Sequence, residues 1–286
     1  MRNIKIIGAC SDLGLHINGA DLGPSKLIEH LKISNIIKVN KLNNIKKELE
    51  KNNKKKNLIA VNEFNSRLYT EVVNSLNNNY FPLTIGGDHS IAISSSLASI
   101  KKYTNLGIIW FDSHGDFNTF DTTISGNIHG IPLAAVTNYE KNYLTDFHNG
   151  NYYNPKNTVL LGARDIDELE KENLEDAGVT VFTTEDIRNK GMEYIYEKAF
   201  KIASSGTNGI HISYDLDVID PNFAPGVSVP VDNGINEIEA FTFIDYIIKY
   251  KNLVKSMDLV EFNPLKDVDD KTLNLAKELL DKILNN

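Results

Sequence analysis

Along this chain, short, mostly apolar runs take turns with longer stretches in which apolar positions return every three or four residues. The runs at residues 4–7, 58–61, 81–85, 106–111, 158–161, 179–182, 209–214 and 254–260 predict strands. The periodic stretches at residues 62–76, 91–103, 165–177, 192–203, 236–250 and 271–284 predict helices, the last with Leu275, Leu279, Leu280 and Ile283 on one face. Pro24-Ser25 adds a helix start, because proline is tolerated in a first turn. Runs without polar alternation suit strands buried on both faces. Their regular exchange with helices predicts an α/β fold, a mainly parallel sheet covered by helices on both sides. No linker breaks the pattern, so one domain over residues 1–286 is expected. The Lys- and Asn-rich stretch at residues 40–57 reads as a solvated helix face followed by a polar turn, since its charges lack interleaved aromatics.

Three of the predicted strands end in acids and histidines. Asp112, His114 and Asp116 follow the run at 106–111, Gly86-Gly87-Asp88-His89 closes the run at 81–85, and Asp215 and Asp217 follow the run at 209–214. Residues two apart in an extended segment project to one side, so Asp112, His114 and Asp116 converge on a small volume. An isolated D-x-H-x-D fits a solvated loop equally well. Three strand ends of the same character change that balance, because open parallel sheets bind ligands beyond the carboxyl ends of their strands. Carboxylates and imidazoles without thiolate suit Mn²⁺ or another octahedral divalent ion better than structural zinc. The four aspartates carry a charge that two divalent ions would balance. Two such ions roughly 3.5–4 Å apart can hold a hydroxide and bring the pKa of bound water to about 7. The chain carries no Gly-rich phosphate or dinucleotide fingerprint.

Composition narrows the partners. Thirty Lys and Arg against 38 Asp and Glu leave a formal charge of −8, which argues against general affinity for nucleic acid or an anionic membrane and suits a small cationic substrate. The single cysteine, Cys10, excludes an intrachain disulfide, and no apolar run reaches signal-peptide or membrane-spanning length, so a reducing, cytoplasmic setting is expected. His16 and His30 read as surface or packing residues, His16 with some reach towards a pocket rim, while His148 reads as a surface residue and His211 as a core residue.

Five segments add a resemblance. GGDHS at residues 86–90, DSHGD at 112–116, SGNIHG at 125–130, SYDLDVIDPNFAPG at 213–226 and VEFNP at 260–264 together resemble the ureohydrolases, the arginase/agmatinase/formiminoglutamase family, over nearly the whole chain from residue 19 onward. The resemblance implies a three-layer α/β/α sandwich with two Mn²⁺ per subunit. His89, Asp112, Asp116 and Asp215 would bind one ion and His114, Asp112, Asp215 and Asp217 the other, with Asp112 and Asp215 bridging. It also implies hydrolysis of a guanidino group by a metal-bridging hydroxide. The stretch at residues 118–130 is similar to the arginase loop and points to L-arginine as substrate, with L-ornithine and urea as products. Asn118, Thr123 and Ser125 would then hold the α-carboxylate, Asp167 the α-ammonium and Glu261 the guanidinium. His129 would be the proton shuttle, so that His129, Asp116 and Glu261 carry the chemistry. A homo-oligomer, a trimer or hexamer, is implied as well. On the residues alone, Thr123 and Ser125 also fit an ordinary polar turn, Asp167 a helix N-terminal acid, and Glu261 an ion-pair partner. Val229 stands where the resemblance leads one to expect a threonine near the guanidinium. The alternatives are another ureohydrolase substrate (agmatine, guanidinobutyrate or formiminoglutamate) and a non-catalytic metal-binding family member.

Overall fold

Eight parallel strands form one sheet among the described residues. They are β1 (Ile4–Cys10), β2 (Ile36–Asn40), β3 (Phe81–Gly86), β4 (Gly107–Phe111), β5 (Thr158–Ala163), β6 (Thr180–Thr183), β7 (Ile210–Asp215) and β8 (Val254–Val260). Their order across the sheet is β2-β1-β3-β8-β7-β4-β5-β6. The helices are α1 (Gly23–Ile28), α2 (Leu58–Asn77), α3 (Ala92–Tyr103), α4 (Pro132–Val136), α5 (Glu168–Ala177), α6 (Thr184–Lys190), α7 (Met192–Ser204), α8 (Glu237–Lys249) and α9 (Lys271–Leu284). This is a computed structural model, and it describes residues 3–31, 33–42, 54–140 and 143–286.

The strands feed two apolar cores, one on each face. Ile109 and Phe111 of β4 and Val159 and Leu161 of β5 join α1, α6, α7, α8 and α9, whereas Ile108, Trp110 and Leu160 join α2, α3, α4 and α5. Successive side chains on a strand point to opposite faces, so a sheet covered on both sides favours apolar residues on both faces of its strands. That is why most of the strands read as apolar runs, and the three-layer α/β/α expectation holds. Among the described residues, no helix is long and apolar enough to cross a membrane.

Residues 58–61, expected as a strand, form the first turn of α2 instead. Val61, Phe64, Leu68 and Val72 are buried while Ile59 is 86% exposed, so helical spacing governs the segment from its start. The helix expected from residue 165 begins at Glu168, leaving Asp165 and Asp167 in the preceding loop. Three elements had no counterpart in the sequence reading. β2 is a short edge strand with one buried position, and α4 and α6 are too short to show a period. The helix face expected within residues 40–57 lies, for residues 43–53, outside the described residues.

The topology makes a crevice. The chain goes directly from β3 and α3 to β4, but these strands are not neighbours, and β7 and β8 later fill the two places between them. Loops leaving β3 and β4 therefore start apart and turn towards one another over the ends of β7 and β8.

Candidate metal centre

All the predicted acids and histidines of the cluster leave the carboxyl ends of β3, β4 and β7, three of these central strands. His89 opens a short turn after β3 whose start is capped by Asp88, which accepts from Ser90 N at 2.9 Å and from Gly14 N at 3.0 Å. Gly87 is required here because a Cβ would run into the Ser11 carbonyl. The tight approach lets Gly87 N reach Ala9 O, Asp88 N reach Ser11 O, and Glu261 N reach Gly87 O at 2.7 Å. Thus the ends of β1, β3 and β8 are stitched together by main chain. Asp112 follows β4, Asp215 ends β7, and Asp217 lies in the turn after it. Asp116 (φ 50°) and Glu261 (φ 68°) hold left-handed backbone, a strain of about 1 kcal/mol or more apiece that surrounding contacts must offset.

The imidazole of His89 is fixed from two sides. It stacks on Trp110 with ring centroids 4.2 Å apart, and its Nε2 lies 2.8 Å from Ser213 Oγ. Ser213 donates its one hydroxyl proton to Asp258 Oδ1 at 2.6 Å, so Ser213 Oγ accepts from Nε2–H. The remaining nitrogen, Nδ1, is then the one left to take a proton or a metal ion. It faces Asp112 Oδ2 at 2.9 Å, Asp116 Oδ2 at 3.0 Å and Asp215 Oδ2 at 3.0 Å. Asp258 is buried and also accepts from Ser95 at 2.5 Å, with His211 Nε2 at 2.9 Å. His211 is the core residue expected, with the added task of pairing Asp258.

A second group adjoins the first. His114 Nδ1 lies 3.0 Å from Asp217 Oδ2 and 3.5 Å from Asp112 Oδ1, so Asp112 turns one oxygen to each histidine. His89, Asp112 and Asp215 form one set of donor atoms within 4.8 Å of each other, and Asp112, His114 and Asp217 form another. Asp215 Oδ1 accepts from Asp217 N at 2.7 Å, and no donor set joins Asp215 to His114. Ser113 Oγ donates to Asp217 Oδ1 at 2.7 Å and Trp110 Nε1 to Asp112 Oδ2 at 3.1 Å, which orients the carboxylates.

The donor set fits cations. His89 Nδ1 and Asp116 Oδ2 are buried without a hydrogen bond although carboxylate oxygens and imidazole crowd the same point. Burial disfavours charge on Asp215 and Asp116, and neighbouring carboxylates add to it, raising both, Asp116 to about 6. Burial opposes charge on His89 too, yet the acids around it, Asp112 foremost, hold its proton well above the ordinary range. A proton is the least charge that can relieve such a cluster, and divalent ions relieve it more fully.

His129 and Glu261 meet beside the cluster, Nδ1 to Oε1 at 3.3 Å. Glu261 Oε1 also accepts from His89 N at 2.8 Å, while Oε2 is buried without a partner. Burial works against a charged His129, but Glu261, Asp116 and Asp88 outweigh it and raise its pKa.

The loop at residues 118–130 covers one side. Asn118 Nδ2 reaches Asp167 Oδ2 at 3.4 Å, so these two predicted substrate residues are together. Thr123 Oγ1 accepts from Gly126 N at 3.1 Å and Ser125 Oγ from Asn127 N at 3.2 Å, bonds that shape the loop and leave each hydroxyl proton for another acceptor. His16 touches the same loop through Asn127 at 3.0 Å, whereas His148, expected at the surface, is buried beside Tyr69.

The sequence reading missed three supports. Glu170 accepts from Phe117 N at 2.8 Å and Asp167 N at 3.2 Å, and burial pushes its pKa up to about 8. The Asp167-x-x-Glu170 spacing is a capping signal that could have revealed it. Glu140 holds Phe120 N at 2.8 Å. Arg164 donates to the carbonyls of Gly162, Asp217, Val218, Val231 and Asp232, tying the long loop at residues 220–234 to Asp217. Nothing local in the sequence marks either of these last two.

Comparison with known proteins bears on the same residues. The family model described as Arginase family matches residues 2–285. The arginase of Bacillus subtilis (strain 168) is 37% identical over 294 residues, covering 99% of this chain and 98% of that protein. The solved structure of arginase from Bacillus caldovelox superposes with a TM-score of 0.91 at 33% identity, covering 100% of this chain and 99% of the other. Entamoeba histolytica arginase, solved in complex with L-ornithine, superposes with a TM-score of 0.90 at 27% identity, covering 100% and 99%. With the family model and the relatives spanning nearly its full length, this chain belongs to the arginase family.

Proposed function

We propose that this protein hydrolyses L-arginine to L-ornithine and urea with two manganese ions bound by His89, Asp112, His114, Asp116, Asp215 and Asp217. The observation that carries the reading is His89 Nδ1 facing three carboxylates, with Asp112 shared between both histidine groups. When bound, the ions supply a water acidified enough to attack the guanidinium carbon near neutral pH. Glu261, with Oε2 unpaired, receives the guanidinium and holds its carbon over the ions. His129, whose proton Glu261 helps retain, gives that proton to the leaving amine and regains one from solvent. Asn118, Thr123 and Ser125 bind the α-carboxylate and Asp167 the α-ammonium, and the contact of Asn118 with Asp167 supports the two acting on one amino-acid head. The relative solved with L-ornithine favours the same product. Assembly as a homo-oligomer belongs to this proposal and is tested by light scattering.

The test is product release by manganese-loaded protein, urea from L-arginine or agmatine and formamide from formiminoglutamate, measured side by side with Asp112→Asn as control. Activity on arginine alone, lost in the control, is expected. Turnover of another substrate instead would overturn the loop assignment, and none at full metal content would overturn the enzymatic reading.

A further inference from the structure

The lysines at residues 54–56 lie against the substrate loop. Lys54 Nζ donates to the Asp121 carbonyl at 2.5 Å, the Lys55 ammonium lies 5.1 Å from the centre of the Phe120 ring, and Lys56 Nζ donates to the Ser125 carbonyl at 2.5 Å. The three differ in setting. Lys54 and Lys55 are exposed, whereas Lys56 is 8% exposed. Asn57 fixes the root of Lys56 by taking left-handed backbone (φ 56°) and bonding Leu13 O through Nδ2 at 2.9 Å. Among the described residues no carboxylate lies within 4.0 Å of the Lys56 ammonium.

A nearly buried ammonium whose partner is a carbonyl gains strongly from an anion placed nearby. The carbonyl that Lys56 holds belongs to Ser125, the residue proposed to receive the substrate α-carboxylate, so the anion that no described residue provides arrives with the substrate. We propose that Lys56 is a specificity residue: its charge draws the α-carboxylate onto the loop of Asn118, Thr123 and Ser125 and so favours an amino acid over the corresponding amine. This rests on the arginine reading of the site. The competing role is a strut that holds the loop through Ser125 O and contributes no charge to binding.

The two roles separate in steady-state kinetics. With Lys56→Met, KM for L-arginine is expected to rise roughly tenfold, the size of one lost charge-assisted contact, with kcat within about twofold of wild type. Because salt screens the long-range attraction of an incoming carboxylate from solvent, the wild-type KM should rise with NaCl and that of the variant should rise less. Lys56→Arg should restore both behaviours, and Lys54→Met, on the same turn, should change neither. Equal manganese content in all forms establishes that the site is assembled. An unchanged KM in Lys56→Met, or a raised KM that keeps the wild-type dependence on NaCl, overturns the proposal. A wild type that releases no urea from arginine at full manganese content overturns the reading of the site, and this inference with it.

Discussion

Replacing Ser213 by alanine removes one oxygen that serves two buried groups. His89 Nε2–H loses its acceptor at 2.8 Å, and Asp258 Oδ1 loses its donor at 2.6 Å, while Asp258 keeps Ser95 and His211. The void is one hydroxyl in size, too small for a compensating water. A lost bond to a charged group is worth roughly 1.5–3 kcal/mol, and loss of an outer partner of a ligating histidine typically lowers metal affinity about 10–100-fold. With His89 no longer committed to a proton on Nε2, Nδ1 carries the proton for part of the time and its lone pair is withdrawn from the cluster. Titration of metal-free Ser213→Ala with Mn²⁺, followed by calorimetry and by urea release at each metal concentration, should show affinity weakened within that range and turnover largely recovered at saturating metal. An affinity unchanged from wild type would refute the reasoning. It would mean that stacking on Trp110 alone aims the imidazole.

Ser125→Ala and Thr123→Ala should each raise KM for arginine roughly tenfold to a hundredfold, the size of one hydrogen bond to a charged group, and leave any turnover of agmatine unaltered in paired assays. Val229→Thr should increase kcat/KM for arginine, because Val227 pairs with Phe262 beside Glu261 and brings this loop to the guanidinium end; equal kinetics would sink that placement. Glu170 binds its proton more tightly in the folded chain, with a pKa raised by burial from 4.5 to about 8, so metal-free protein should lose stability as pH rises through that interval. Urea denaturation at pH 5 and pH 8 should show this loss in wild type and a flatter profile in Glu170→Gln. Phe111→Ala should destabilise the chain by about 3–5 kcal/mol through the cavity left among Tyr214, Tyr196 and Phe243, read as a fall in the denaturation midpoint.

What was legible in the sequence follows from how each feature is encoded. Buried parallel strands are apolar on both faces at most positions, so most of the sheet and both helical layers could be read as runs and periods. The segment at residues 58–61 misled because four apolar residues in a row also open an amphipathic helix, and only Ile59, turned to solvent, separates the two. Donor residues at alternate positions beyond strand ends made the cluster readable as a candidate site. Its supports were less so: Glu140 and Arg164 act on backbone groups of distant loops, and such pairings exist only after the chain has folded. Lys56 was hidden differently, as one buried member of a lysine-rich stretch whose neighbours are exposed.

The gap that β7 and β8 fill between β3 and β4 also sets when the site can come into being during synthesis. A nascent chain that has emerged only through β4 carries His89 and Asp112 on strands that are not partners, each with main-chain edges open. Until residues 210–260 arrive, it has neither the second half of the cluster nor the strands that hold the first half in register. Long-range pairing of this kind is slow and leaves exposed edges prone to association. Chains cut short before β8 should accordingly collect as insoluble, inactive material, and the centre should form as one of the last acts of folding.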